Sequence, residues 1–283
     1  MGFASYSAVL EAIRSGRDRY ESFLKTNANT IGGGLFQSLW GVSGKPPTGS
    51  QPGALTARQV DASTVGALNF QSPAGARDRF LRMFSARGNG TSQAGTLFVV
   101  DRLLDYGAIS HTTAALQVLA NPVTLPRYTD GDGVFGFLEV TTNLGATGVS
   151  CTFTYTNELG VGGRIGTATV AGSAIVTRIP FQVILATGHP SYFSLQTGDR
   201  GVRSVESVQF SGVNTAGVSN LVLVKPIFSV AVHTSLLQYE RDAVIQMAAL
   251  PELVDGHALQ LISLSFSTVF APVTYSELYG TEG

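Results

Sequence analysis

Polar and apolar residues alternate along Cys151-Thr152-Phe153-Thr154-Tyr155-Thr156. A period of two puts Cys, Phe and Tyr on one face and three threonines on the other, the pattern of a strand with one buried face. The loop Asn157-Glu158-Leu159-Gly160-Val161-Gly162-Gly163 follows, and residues 164–170 resume extended sequence, which predicts a hairpin. Upstream, Val134, Gly136, Leu138 and Val140 share one face, with Phe135, Phe137 and Glu139 on the other. Further strands are predicted at 96–100, 175–185, 202–210, 221–224 and 258–270, the last with Ser263, Ser265 and Ser267 interspersed; 101–109 reads as a second strand or a turn. Turn clusters at Gly188-His189-Pro190, Gly198-Asp199-Arg200-Gly201 and Gly212 to Gly217 separate them. Strands at this cadence without intervening helices predict a mainly β chain, an antiparallel β-sandwich or barrel-like domain.

The N-terminal region has a different period. Tyr6, Val9, Leu10, Ile13, Tyr20 and Leu24 recur at spacings of three, four or seven, which predicts an amphipathic helix over 5–25 with one apolar stripe. Residues 41–54 form a Pro/Gly/Ser loop with the composition of a linker. The expected division is therefore an N-terminal helix with a Gly/Pro-rich extended arm at 1–54, a connecting region at 55–94 and a β-sandwich body at 95–283. The stripe of Tyr6, Val9, Leu10 and Ile13 is a candidate protein interface, and a helix packed on its own domain explains the same pattern. Arg77, Arg79, Arg82 and Arg87 form the densest basic cluster, which either meets an acidic partner or is a solvated face; on a helix Arg79 and Arg82 would share a side. A second short helix is predicted at 239–249, ended by Pro251.

Composition narrows the function classes. Charged residues make up 13% of the 283, about half the usual quarter, and the net charge is −1. Such a chain has no overall field to attract nucleic acid or an anionic membrane. No apolar run is long enough to span a bilayer, and the first residues lack the basic start and apolar block of a signal peptide. One cysteine, Cys151, excludes an intrachain disulfide and a Cys-based zinc site.

Reactive groups are scattered. His111, His189, His233 and His257 have no metal-type spacing, and there is no G-x-S-x-G elbow or P-loop. The glycines at 160–166 precede extended sequence where a phosphate loop needs a helix. Asp130-Gly131-Asp132-Gly133 offers hard oxygen ligands for calcium but lacks the later bidentate Glu of an EF-hand, and a tight turn explains the same residues. The expectation is a non-enzymatic protein with no catalytic residues, metal or cofactor.

Four stretches carry a family resemblance: residues 125–134 (Leu-Pro-Arg-Tyr-Thr-Asp-Gly-Asp-Gly-Val), 155–160 (Tyr-Thr-Asn-Glu-Leu-Gly), 196–205 (Gln-Thr-Gly-Asp-Arg-Gly-Val-Arg-Ser-Val), and Leu223-Val224-Lys225-Pro226 followed by Tyr239-Glu240-Arg241-Asp242 and Asp255-Gly256. This order, over about residues 95–283, resembles a family of virion structural proteins of tailed bacteriophages. The resemblance brings no functional residues with it. It implies a virion location and, as partners, the major capsid protein or other virion proteins, with homo-oligomerisation; the charge balance and the lack of a long apolar run add the expectation of no nucleic-acid and no membrane partner. Because no long spine helix is visible, a capsid decoration or cement protein is favoured over the shell subunit. A tail, neck or baseplate component is the alternative, and a cell-wall hydrolase a distant third.

Overall fold

The computed structural model describes residues 6–26, 36–68, 78–87, 95–145, 147–170, 182–184, 192–233, 237–247, 249–265 and 273–282. In chain order the elements are α1 (Tyr6–Arg14), β1 (Asp18–Thr26), β2 (Phe36–Ser38), β3 (Gly44–Lys45), β4 (Arg58–Gln59), β5 (Arg79–Arg87), β6 (Gly95–Ser110), β7 (Gln117–Val118) and β8 (Phe135–Thr142). They continue with β9 (Val149–Asn157), β10 (Arg164–Val170), β11 (Gln182–Ile184), β12 (Val202–Phe210), β13 (Val218–Val232), β14 (Tyr239–Asp242), α2 (Ala243–Gln246), β15 (Leu259–Ser265) and β16 (Val273–Glu282). The protein is mainly β, with antiparallel, sandwich-like sheets and one N-terminal helix; among the described residues strand accounts for 52% and helix for 6%.

Three sheets form. The largest runs β13–β8–β11–β2–β15–β6–β4, and β6 also pairs with β13, so the ladder returns on itself. A four-stranded sheet, β10–β9–β12–β7, packs on one part of it. A five-stranded sheet, β14–β5–β16–β1–β3, packs on another. The long strands β6 and β13 link the two packings. Leu103, Leu104, Tyr106, Leu221 and Leu223 join one core, while Leu97, Val99, Phe228 and Val230 join the other. One face of β8 behaves as its alternation predicts, with Leu138 and Val140 in the first core. Its other face is buried too, since Phe137 packs with Phe36, Val100, Val222 and Ile262 inside the curled sheet.

The predicted hairpin is present, with Thr154 opposite Ile165 and Thr152 opposite Thr167. The strand predicted at 202–210 is β12, and 221–224 lies within β13. Residues 101–109 belong to β6, which runs unbroken from 95. Of the strand predicted at 175–185, only Gln182–Ile184 falls among the described residues, and 266–270 lie outside them.

The helix predicted over 5–25 ends at Arg14. Gly16 sits at φ 73°, its N–H bonds to Ile13 O, and Arg17 N–H bonds to Ala12 O. This is a Schellman cap, which a glycine adopts without the Cβ penalty. Tyr20 and Leu24 then belong to β1, and their spacing from Ile13 is a coincidence of period. The helix predicted at 239–249 is the edge strand β14 followed by the four-residue α2.

Residues 18–26 and 36–60 are not a free arm. β1 lies between β16 and β3, and Phe23 is fully buried. Trp40 is buried and donates from Nε1 to Ser50 O at 3.0 Å. The buried Lys25 ammonium donates to the carbonyls of Val42 (3.1 Å) and Pro46 (2.7 Å), and burial pulls its pKa down to about 8. Loop 41–54 is thus held by its own subunit. The expected connecting region 55–94 also contributes strands, β4 to the curled sheet and β5 to the five-stranded one.

Candidate functional site

Two polar constructions stand out. The first lies inside the curled sheet. Arg102 of β6 is fully buried, bonds Asp105 (3.0 and 3.1 Å), Glu139 (3.2 to 3.3 Å) and Gln260 (3.1 Å), and stacks 4.6 Å from the Trp40 ring. Burial opposes its charge, but Glu139 and Asp105 outweigh that and raise its pKa. Arg58 forks onto Asp105 at 2.7 and 2.8 Å and also bonds Ser50. Arg127 forks onto Asp101 at 2.7 and 2.9 Å. Each buried charge faces an opposite one, as buried ions require. The network ties residues 50–60 to the body and offers no open position for a ligand.

The second construction is a junction of turns at one end of the four-stranded sheet. Asn157 ends β9, and its Oδ1 accepts from Leu159 N and Val161 N, shaping the hairpin loop. Its Nδ2 donates to Asp199 Oδ1 at 2.8 Å. Asp199 also accepts from Tyr155 Oη at 2.5 Å and from Arg164 Nε and Nη2 at 2.8 Å each. Arg164 and these donors hold the Asp199 pKa at about 2. Burial, with Asp199 alongside, pushes the Tyr155 phenol up to about 12. Glu158 Oε2 accepts from the backbone of Arg200 and Gly201, and Arg203 donates to the carbonyls of Glu158 and Asp130.

The turn at 130–133 completes the junction. Asp132 pairs across a bridge with Gly201, and its carboxylate meets the Arg200 guanidinium at 3.2 Å. Lys225 Nζ donates to Asp132 O at 2.5 Å and lies 5.4 Å from the Tyr128 ring centre. Asp130 Oδ1 accepts from Asp132 N. The turn reading of these aspartates is what the geometry supports. Among the described residues, no three His, Cys, Asp or Glu side chains gather as a metal site. The stretches 125–134, 155–160, 196–205 and 223–226, which carried the resemblance, therefore touch one another here. Tyr239–Asp242 and Asp255-Gly256 lie elsewhere, in β14 and beside Arg79 and Ala62.

Beside the junction, residues 192–199 and Phe135 line a pocket of about 300 Å³. Phe193 N–H bonds Gly136 O, and Ser194 exchanges two backbone bonds with Thr167, so this segment bridges β8 and β10. No pattern in the chain points to it, because Tyr192-Phe193 stands in a loop without periodicity.

The candidate interface residues are dispersed. Val9 is buried on its own subunit, Leu10 and Ile13 are half-buried, and Tyr6 is 59% exposed. Arg79 and Arg82 lie on strand β5 rather than on a helix. Arg79 is buried near Asp255, and Arg82 pairs with Asp18 at 3.1 Å over Tyr279. Arg77 lies outside the described residues. Val9, Arg79 and Arg82 are thus engaged within the chain, while Tyr6 remains exposed. Of the histidines, His111 and His257 are buried, His233 meets the Tyr239 ring edge, and His189 lies outside the described residues. Cys151 is buried in the core, which pushes its thiol up.

Exposed apolar side chains instead border the four-stranded sheet: Leu159 and Val161 on the β9–β10 loop, Ile165 on the edge strand β10, and Leu116 and Val118 at the other edge by β7. Between them the outer face carries Ser150, Thr152, Thr154 and Thr156 of β9 beside Thr167 and Thr169 of β10. Arg164, Arg203 and Glu206 are the charged side chains of these four strands; the two arginines turn into the junction, and Glu206 bonds Thr156 and Ser204.

Compared with protein families, curated proteins and solved structures, the chain shows no match to any of them.

Proposed function

We propose that this chain is a non-enzymatic structural protein of a tailed-phage virion, binding the head shell as a decoration or cement protein. The observation that carries the reading is the outer face of the β10–β9–β12–β7 sheet. It is hydroxyl-rich, nearly free of ionised groups and edged by Leu159 (73% exposed), Val118 (66%) and Val161 (50%). Charge depletion with apolar side chains at hand suits a surface that meets protein, since desolvating it costs little. The resemblance of the junction stretches to virion proteins supplies the particle. The docking element in this reading is the sheet face, and the N-terminal segment is part of the subunit's own packing.

The deciding experiment is the copy number in purified particles, by quantitative mass spectrometry. On the order of hundreds of copies, in step with the shell subunit, is expected, because a closed shell repeats each contact by symmetry. About six or twelve copies would move the protein to a neck or tail ring, and absence from particles would overturn the reading.

A further inference from the structure

We infer that the pocket beside residues 192–199 is a binding site for a neutral saccharide. Its volume of about 300 Å³ is at the small end for ligand sites and suits one or two sugar rings. One wall is aromatic. Phe135 and Tyr192, both half-buried, stack with ring centres 5.0 Å apart at 24°, and Phe193 continues the wall. The rest of the lining is polar apart from Leu195. Ser194, Gln196, Thr197 and Gly198 contribute to it, and the two hydroxyls, the Gln196 amide nitrogen and the Gly198 N–H have no hydrogen-bond partner among the described residues.

The remaining polar lining group, Asp199, is already satisfied. Each of its oxygens takes two donors, and Arg164 balances its charge. The pocket therefore presents no free ion to a charged ligand. A sugar ring matches both kinds of lining, with C–H faces for the aromatic rings and hydroxyls for the amide and hydroxyl groups. Phosphorylated or carboxylated ligands would lose solvation with no counter-charge to replace it. The site is carried by these residues alone and does not rest on the virion reading; a failure of one leaves the other standing.

The test is a titration of the full-length protein with neutral hexoses, N-acetylhexosamines and their disaccharides, followed by calorimetry and by ligand-observed NMR. Saturable binding of at least one sugar in the millimolar range or tighter is expected, as for small neutral ligands generally. Gln196→Ala and Thr197→Val, both at exposed positions, should each weaken it by roughly three- to tenfold, the worth of one hydrogen bond. Tyr192→Ala should abolish it. Absence of saturable binding across the panel overturns the proposal, as does binding that both exposed-site variants leave unchanged. Tighter binding of an anionic sugar, or of an aromatic compound without hydroxyls, would also overturn it.

Discussion

Phe193 stands so close to Gly136 that a Cβ built there would lie 2.1 Å from the Phe193 ring. The ring also stacks on Phe153 at 4.3 Å. It thus wedges between β8 of the curled sheet and β9 of the four-stranded sheet, and the glycine is what admits it.

Gly136→Ala is accordingly expected to destabilise the protein by about 1–3 kcal/mol through overpacking. Phe193→Ala should cost about 3–5 kcal/mol through the cavity it leaves. Chemical denaturation checks both, and an unchanged midpoint in either variant would contradict the wedge.

Removing the Arg102 guanidinium leaves Glu139 and Asp105 partly unpaired in a dry interior. Arg102→Met should therefore cost about 3–5 kcal/mol. The added change Glu139→Gln should recover part of that, because it removes one stranded charge. A double-mutant cycle on unfolding free energies measures the recovery; strict additivity of the two changes would show that the pair does not interact.

Burial lowers the pKa of His111 and His257 to about 4, with Arg79 and Arg127 adding to the effect at His257. The unfolded chain titrates these groups near 6.5. Between the two values the unfolded state binds more protons, so stability is full above about pH 6.5 and falls as pH drops towards 4. The loss is roughly 3 kcal/mol per histidine. Asp199, held at about 2, acts in the same sense below the ordinary carboxylate range. Melting temperatures from pH 7.5 to 4 should fall, and less steeply in His111→Asn; a flat profile would contradict the assignment.

A chain starting at residue 55 lacks β1, β2 and β3, and with them Phe23, Lys25 and Trp40. It is expected to lose cooperative unfolding, seen as a broad or absent thermal transition. A sharp transition near that of the whole chain would mean that the segment is dispensable after all.

The parts of the fold legible in the sequence are those with one wet face. β9 and β10 alternate because their outer faces meet water, and a period of two survives. β6 from Val100 to Gly107 is buried on both faces, so nothing in its pattern separates strand from turn. β1 was masked by a sevenfold recurrence of Tyr6, Ile13 and Tyr20 that imitates a helix, although Ser15-Gly16 was a stop signal in plain view. Loop 41–54 has too little apolar content to suggest a fold, and it is fixed by single long-range bonds from Lys25, Arg58 and Trp40, which leave no periodic trace. The junction shows the same limit: Asp199 meets Arg164 and Tyr155 from 35 and 44 positions away, so its stretches read as separate turns. The pocket rests on Tyr192 and Phe193, whose roles depend on a glycine in a strand 56 or 57 positions back.

The register of β1 on β16 has a mechanical consequence. Asp18 lies opposite Thr281 and Thr26 opposite Val273, so the polypeptide enters and leaves this sheet at the same corner. A load applied between those two points would reach the hydrogen bonds one pair at a time and peel the strands apart, because the ladder bonds lie perpendicular to antiparallel strands and share a force only when it runs along them. The same sheet pulled between Asp18 and Val273 would resist as a unit. Tension applied at Asp18 and Thr281 would therefore load this seam from its corner, and the peeling would reach the buried Phe23 only after the first ladder bonds had parted.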